Sequence, residues 1–156
     1  MLYEPTLFAW LAAESPPPNE ADGIRGAVTG AIAALDAGDP GGAAECFLDF
    51  WMEPGTWARM PESRRDPVLA SIVAVRGWAH ALMGERTPLS AFATLDIPVL
   101  LMRGTESPAS SLGVARLLAK TLPRVEVLDL PGVGHMGPIT HPELVDDAIA
   151  RFLAKH

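Results

Sequence analysis

With 156 residues, 49% of them hydrophobic and 20% charged, the chain has material for one globular domain with a real core. A formal net charge of −7 with no cluster of lysine and arginine argues against a nucleic acid or an anionic membrane surface as partner. The single cysteine, Cys46, excludes an internal disulfide and suits a reducing compartment, so a cytoplasmic location is expected. The N-terminus has no basic region ahead of an apolar run, and no segment approaches the roughly 18 apolar residues of a membrane span.

Ser15-Pro-Pro-Pro-Asn19 reads as a stiff linker. Residues 20–37 then carry Ile24, Ala27, Val28, Ala31, Ile32 and Leu35 at helical spacing, stopped by Gly38-Asp-Pro40. A second helix is expected over Ala43–Met52, bearing Phe47, Phe50 and Trp51 and closed by Pro54-Gly55. Trp57 falls in the loop that follows. Pro61–Met83 predicts one longer helix with Pro67 in its early part and Leu69, Ile72, Val73, Ala79 and Leu82 along it, and a short segment from Pro88 to Leu95 leads onward.

Ile97-Pro-Val-Leu-Leu-Met-Arg-Gly104 is a short apolar run without polar alternation, the pattern of a strand buried on both faces. Ser110 and Ser111 are placed to cap a helix carrying Leu112, Ala115, Leu117 and Leu118 that ends before Pro123. Val125–Leu130 alternates as a strand does, and Pro131, Gly132, Gly134 and Gly137 break the backbone into a loop that aims His135 from the strand end. Pro142–Ala154 predicts a final helix with Leu144, Val145, Ala148, Ile149, Phe152 and Leu153 on one stripe and Glu143, Asp146, Asp147 and Arg151 opposite. Strand, helix, strand, histidine loop and helix make a parallel α/β unit.

The stretch from Ile97 to Ala154, with its strand-Arg103-Gly104 and its Pro131-Gly-x-Gly-His135 followed by His141-Pro142, resembles the C-terminal part of an α/β-hydrolase-fold protein. The resemblance implies that these are the last two strands of the sheet and that His135 is the base of a Ser/Asp/His-type triad. Met1-Leu-Tyr-Glu-Pro5 is similar to the end of the strand that follows the nucleophile helix in that family. On this reading residues 1–5 end a core strand, 6–96 form a helical cap-like region, and 97–156 are the C-terminal βαβα part of the core. The fold class is then α/β: a partial α/β-hydrolase fold with two to three parallel strands, flanking helices and a helical cap.

The same resemblance implies a nucleophile elbow, Gly-x-Ser-x-Gly, ahead of the acid and the histidine. None of Ser15, Ser63, Ser71, Ser90, Ser107, Ser110 and Ser111 has that setting. The acid slot after the penultimate strand reads Gly104-Thr-Glu106-Ser107, with Ser107 where the family has an aspartate. Glu4, at the end of the preceding strand, and Glu106, one residue early, are the two substitutes. Glu4 is preferred, because some members of the fold, haloalkane dehalogenases among them, supply the acid from that place.

Other candidates carry less. Trp57, and Met136 beside the histidine, are the expected pocket residues, whereas the remaining aromatics and Cys46 read as core. His80 reads as a packed or surface residue, His141 as a neighbour of a helix cap, and His135 with His141 fits no metal-ligand spacing. No metal and no cofactor is expected. A three-strand sheet leaves apolar surface bare, which predicts a homodimer or a complementing N-terminal half. Two functions follow: a small-molecule hydrolase of an ester-, epoxide- or halide-type bond, inactive as this chain alone, or a non-catalytic remnant that binds a small molecule or a partner.

Overall fold

The computed structural model describes residues 1–156. Three strands, β1 (Leu2–Tyr3), β2 (Val99–Gly104) and β3 (Val125–Leu130), form one parallel sheet in the order β1-β2-β3. Leu2 aligns with Leu101, and Val99 to Gly104 run in register with Val125 to Leu130. The central position of β2 follows from its sequence, since an apolar run without alternation needs cover on both faces. Val99 and Leu101 enter one hydrophobic cluster with Phe8, Trp10, Leu11, Ile24, Val28 and Trp51 from the helical region and Val114, Ala115 and Leu118 from the helix after β2. Leu100 and Met102, pointing the other way, join Leu130, Val133, Val145, Ala148 and Phe152. Each fully buried side chain of this kind contributes about 1.5–3 kcal/mol.

The helical region runs α1 (Ala9–Glu14), α2 (Asp22–Asp36), α3 (Pro40–Trp51), α4 (Thr56–Arg59), α5 (Arg65–Ile72) and α6 (Val75–Gly84), with 3₁₀ turns at Glu62–Arg64 and Leu89–Thr94. Asp39 caps α3 by accepting the Gly42 N–H at 2.8 Å, and Pro40 takes the first helical position, where no N–H is needed. Ala31, Ala43 and Ala44 have no exposed surface and let α2 and α3 approach closely.

The single helix expected over 61–83 is broken: Glu62–Ile72 and Val75–Gly84 meet at 55°. Ala74 and Gly77 donate to carbonyls three residues back, which tightens the chain at the break. The cause is tertiary. Val68, Ile72 and Val75 pack with the alanines of α2 and α3, whereas Ala79, Leu82 and Met83 pack on the larger cluster over the sheet, and one straight rod cannot serve both. Trp57, expected in a loop, lies in the single turn of α4.

Beyond β2, α7 (Ala109–Thr121) begins at Pro108 without a side-chain cap. Ser110 and Ser111 do not cap it. They sit in its first turn, buried, while the Pro108 carbonyl accepts the Ser111 and Leu112 N–H groups. After β3 come the one-turn α8 (Gly137–Thr140) and α9 (Pro142–Lys155). The apolar stripe of α9 is narrower than its sequence suggests: Val145, Ala148 and Phe152 are buried, but Leu144 and Leu153, roughly a quarter-turn to either side of them, are exposed.

Candidate active site

The C-terminal ends of all three strands converge, the place where open parallel sheets bind ligands. At the end of β1 the Glu4 N–H still donates to the Met102 carbonyl, at 3.1 Å, and the backbone then turns through φ +40°. Glu4 is the one residue other than glycine with positive φ, a conformation disfavoured for a side chain of this kind. That turn carries its carboxylate beneath the end of β2. There Oε1 accepts the Gly104 N–H at 2.7 Å and the Ser107 hydroxyl at 2.5 Å. Oε2 lies 2.8 Å from His135 Nδ1. The Glu4 side chain has no exposed surface, and that of His135 is 17% exposed.

Gly104 has to be glycine for this geometry. A Cβ there would lie 2.0 Å from the Val133 carbonyl oxygen, so the loop after β3 is seated directly against the end of β2. The two loops are laced together: Thr105 N–H donates to Leu130 O, Glu106 N–H to Val133 O, and Gly132 N–H to Thr105 Oγ1. Tyr3 secures the histidine loop from the β1 side, its hydroxyl donating to the Gly134 carbonyl at 2.6 Å and packing where a Gly137 Cβ would stand. Burial, and then the charge of Glu4, push the Tyr3 phenol up to about 12.

The Glu4 carboxylate accepts from Gly104 and Ser107, so Nδ1 is the ring nitrogen placed to donate to its other oxygen, and an imidazole with its proton there offers Nε2 as an acceptor. That is the arrangement of a base oriented by an acid. Ser111 Oγ approaches at 3.4 Å, but toward Nδ1 and not Nε2, and Ser110 Oγ is buried without a hydrogen-bond partner. No side chain of the chain hydrogen-bonds Nε2.

The structure thus brings Glu4 and His135 together from opposite ends of the sequence and leaves Glu106 exposed in the loop, with its side chain beside Thr105. Met136 directly follows the histidine and is half-buried, its carbonyl accepting the Ile139 and Thr140 N–H groups. Trp57 is elsewhere: it packs against the alanine cluster of α2 and α3 with the Arg65 guanidinium 5.1 Å from its ring. The aromatic at the histidine is Trp51, with ring centroids 4.1 Å apart and the planes 30° from parallel. Trp51 belongs to the core as its helical spacing implies, and nothing in that spacing distinguishes it from its neighbours as the residue that meets His135. A cavity of about 410 Å³ lies away from His135, lined by Trp10, Leu89 and Leu117 with Glu14, Glu85 and Arg86. No group of three or more His, Cys, Asp or Glu side chains converges as metal ligands, and no single helix is long and apolar enough to cross a membrane.

No protein-family model matches the chain, and no curated protein does. Solved structures do. An α/β hydrolase from Sphaerobacter thermophilus is 27% identical over 80% of this chain and 49% of its own, with a TM-score of 0.56. MenH from S. aureus is 16% identical over 87% of this chain and 54% of its own, at 0.54. Proline iminopeptidase from Mycobacterium smegmatis is 18% identical over 97% of this chain and 52% of its own, at 0.52. The chain spans about half the length of these structures.

Proposed function

We propose that this chain, an α/β-hydrolase-fold protein carrying part of that fold, is the histidine-and-acid portion of a small-molecule hydrolase acting on an ester-, epoxide- or halide-type bond. His135 is the general base, taking a proton on Nε2. Glu4 holds the tautomer and stabilises the imidazolium that forms. The observation that carries this reading is the 2.8 Å contact between Glu4 and His135, made across 131 positions by a fully buried carboxylate on a positive-φ backbone. Strain of that sort costs about 1–3 kcal/mol and gathers at functional sites.

Residues 6–96 are the cap, and Met136 lines the site with them. The nucleophile comes from outside residues 1–156, on a complementing N-terminal portion that adds strands beside β1. That is supported by the lack of Gly-x-Ser-x-Gly among residues 1–156 and by the half-length match. The compartment is the cytoplasm, in keeping with the lone Cys46. The matched structures include a proline iminopeptidase and MenH, so the shared fold supports the machinery and no one substrate.

The test is turnover of a short p-nitrophenyl ester. Residues 1–156 alone are expected to be inactive. Joined to a nucleophile-bearing N-terminal portion of this fold, they are expected to gain turnover that His135→Ala lowers by about 10²–10⁴. Turnover indifferent to His135→Ala would overturn the assignment. The second reading, a non-catalytic binding protein, draws on the same missing serine; it is favoured if joined and isolated chains are alike inactive.

A further inference from the structure

Trp51 stands at the C-terminal end of α3, far in sequence from the histidine it covers. It is held from behind by Phe50, edge-on at 4.9 Å, and by Phe47 and Phe8, each at 6.1 Å, and is 8% exposed. The end of α3 is itself tied down, since the Asp49 carboxylate accepts the Gly55 N–H at 2.6 Å and the Trp57 N–H at 3.0 Å. The indole plane is therefore fixed by the helical region and cannot tilt without disturbing that aromatic group.

One hydrogen bond fixes one point of an imidazole. Rotation about the Cα–Cβ bond can still carry the 17%-exposed imidazole off Glu4 and into water, where neither tautomer is enforced. A face contact sets the plane. We infer that Trp51 is the positioning residue of His135: its ring holds the imidazole in the one orientation that keeps the proton on Nδ1, against Glu4, and turns Nε2 to the reacting centre. The base is then complete only when α3 is seated on the sheet. Part of the catalytic geometry belongs to the helical region. This inference rests on the reading of His135 as the general base.

The experiment uses the whole chain with ¹⁵N-labelled histidine and reads the His135 tautomer and ring-proton shifts by NMR, with no need of turnover. The wild type is expected to show one neutral tautomer, Nδ1–H, with ring protons displaced upfield of those of His80 and His141. Trp51→Leu is expected to lose the displacement and to show both tautomers, while Trp51→Phe keeps the single tautomer with a smaller displacement. A folded Trp51→Leu chain that retains a single Nδ1–H tautomer overturns the inference, as does a wild type without the upfield displacement. Should Trp51→Leu fail to fold, Trp51→Phe decides, and mixed tautomers or an undiminished displacement there count against the role. A wild type protonated on Nε2 instead sinks the general-base reading itself, which separates the two failures.

Discussion

Replacing Glu4 is the most informative perturbation, because three donors meet on its carboxylate: Gly104 N–H, the Ser107 hydroxyl and His135 Nδ1. Glu4→Ala strands them. The imidazole, 17% exposed, can turn toward water, but Gly104 and Ser107 are buried. A buried donor left without a partner costs about 1–3 kcal/mol, so the two give a loss of about 4 kcal/mol. For a chain of this length each kcal/mol moves Tm by about 2–4 °C, which puts the expected fall at roughly 8–16 °C by circular dichroism. Glu4→Gly removes the same bonds but relieves the φ of +40°. The relief is about 1–2 kcal/mol, set against about 0.5–1 kcal/mol for the added freedom of glycine in the unfolded chain, so Glu4→Gly is expected to melt a few degrees above Glu4→Ala. A Glu4→Ala chain melting within about 2 °C of wild type would refute the convergence of donors on Glu4. Glu4→Gly melting below Glu4→Ala would refute the strain.

Gly104→Ala drives a methyl to 2.0 Å from the Val133 carbonyl, against backbone that cannot swing aside, and is expected to lower stability by about 3 kcal/mol in a denaturant titration; a neutral result would contradict the seating of the histidine loop on β2. Gly26→Ala, on the exposed side of α2 with nothing within 4 Å of the new Cβ, is expected to raise stability by about 0.5–1 kcal/mol, seen as a higher urea midpoint at unchanged slope. Tyr3 is the chain's one tyrosine, so tyrosinate absorbance follows it alone. Its folded value, raised to about 12, keeps the phenol neutral, so its stabilising contribution is complete below about pH 10 and is lost as pH rises from 10 through 12. A folded-state midpoint near 10 would show that the phenol is not held in the histidine loop.

Much of the site could be read from composition and order of residues because each part sits at the end of an element that announces itself. The apolar run of β2 required burial on both sides, and the glycine and proline frame required a tight loop at His135. Glu4 was legible only as the last carboxylate before a proline. Its choice over Glu106 is a matter of where β1 enters the sheet, and that follows from pairing Leu2 with Leu101, a contact across 99 positions that no local pattern encodes. The roles of Ser110 and Ser111 depart from their local pattern for a related reason. Serines at the start of a helix usually serve its N–H groups, but these two are turned into the interior, while Ser107, in the acid slot, serves Glu4. The break near Val73 has no proline to announce it and arises because two hydrophobic clusters compete for one helical segment.

What the chain by itself determined is local and periodic: the helices α2, α3, α7 and α9, the strands β2 and β3, and a histidine aimed from a strand end. These depend on neighbours within a few residues, whose spacing sets which faces are apolar. What only the tertiary structure decided is which distant groups meet that histidine. Glu4 reaches it from the far end of the chain, and Trp51 reaches it from a helix whose periodicity marks it as ordinary core. Both contacts exist because the sheet order and the seating of α3 bring the ends of separate elements to one point, and the directions of those ends are fixed by packing and not by propensity.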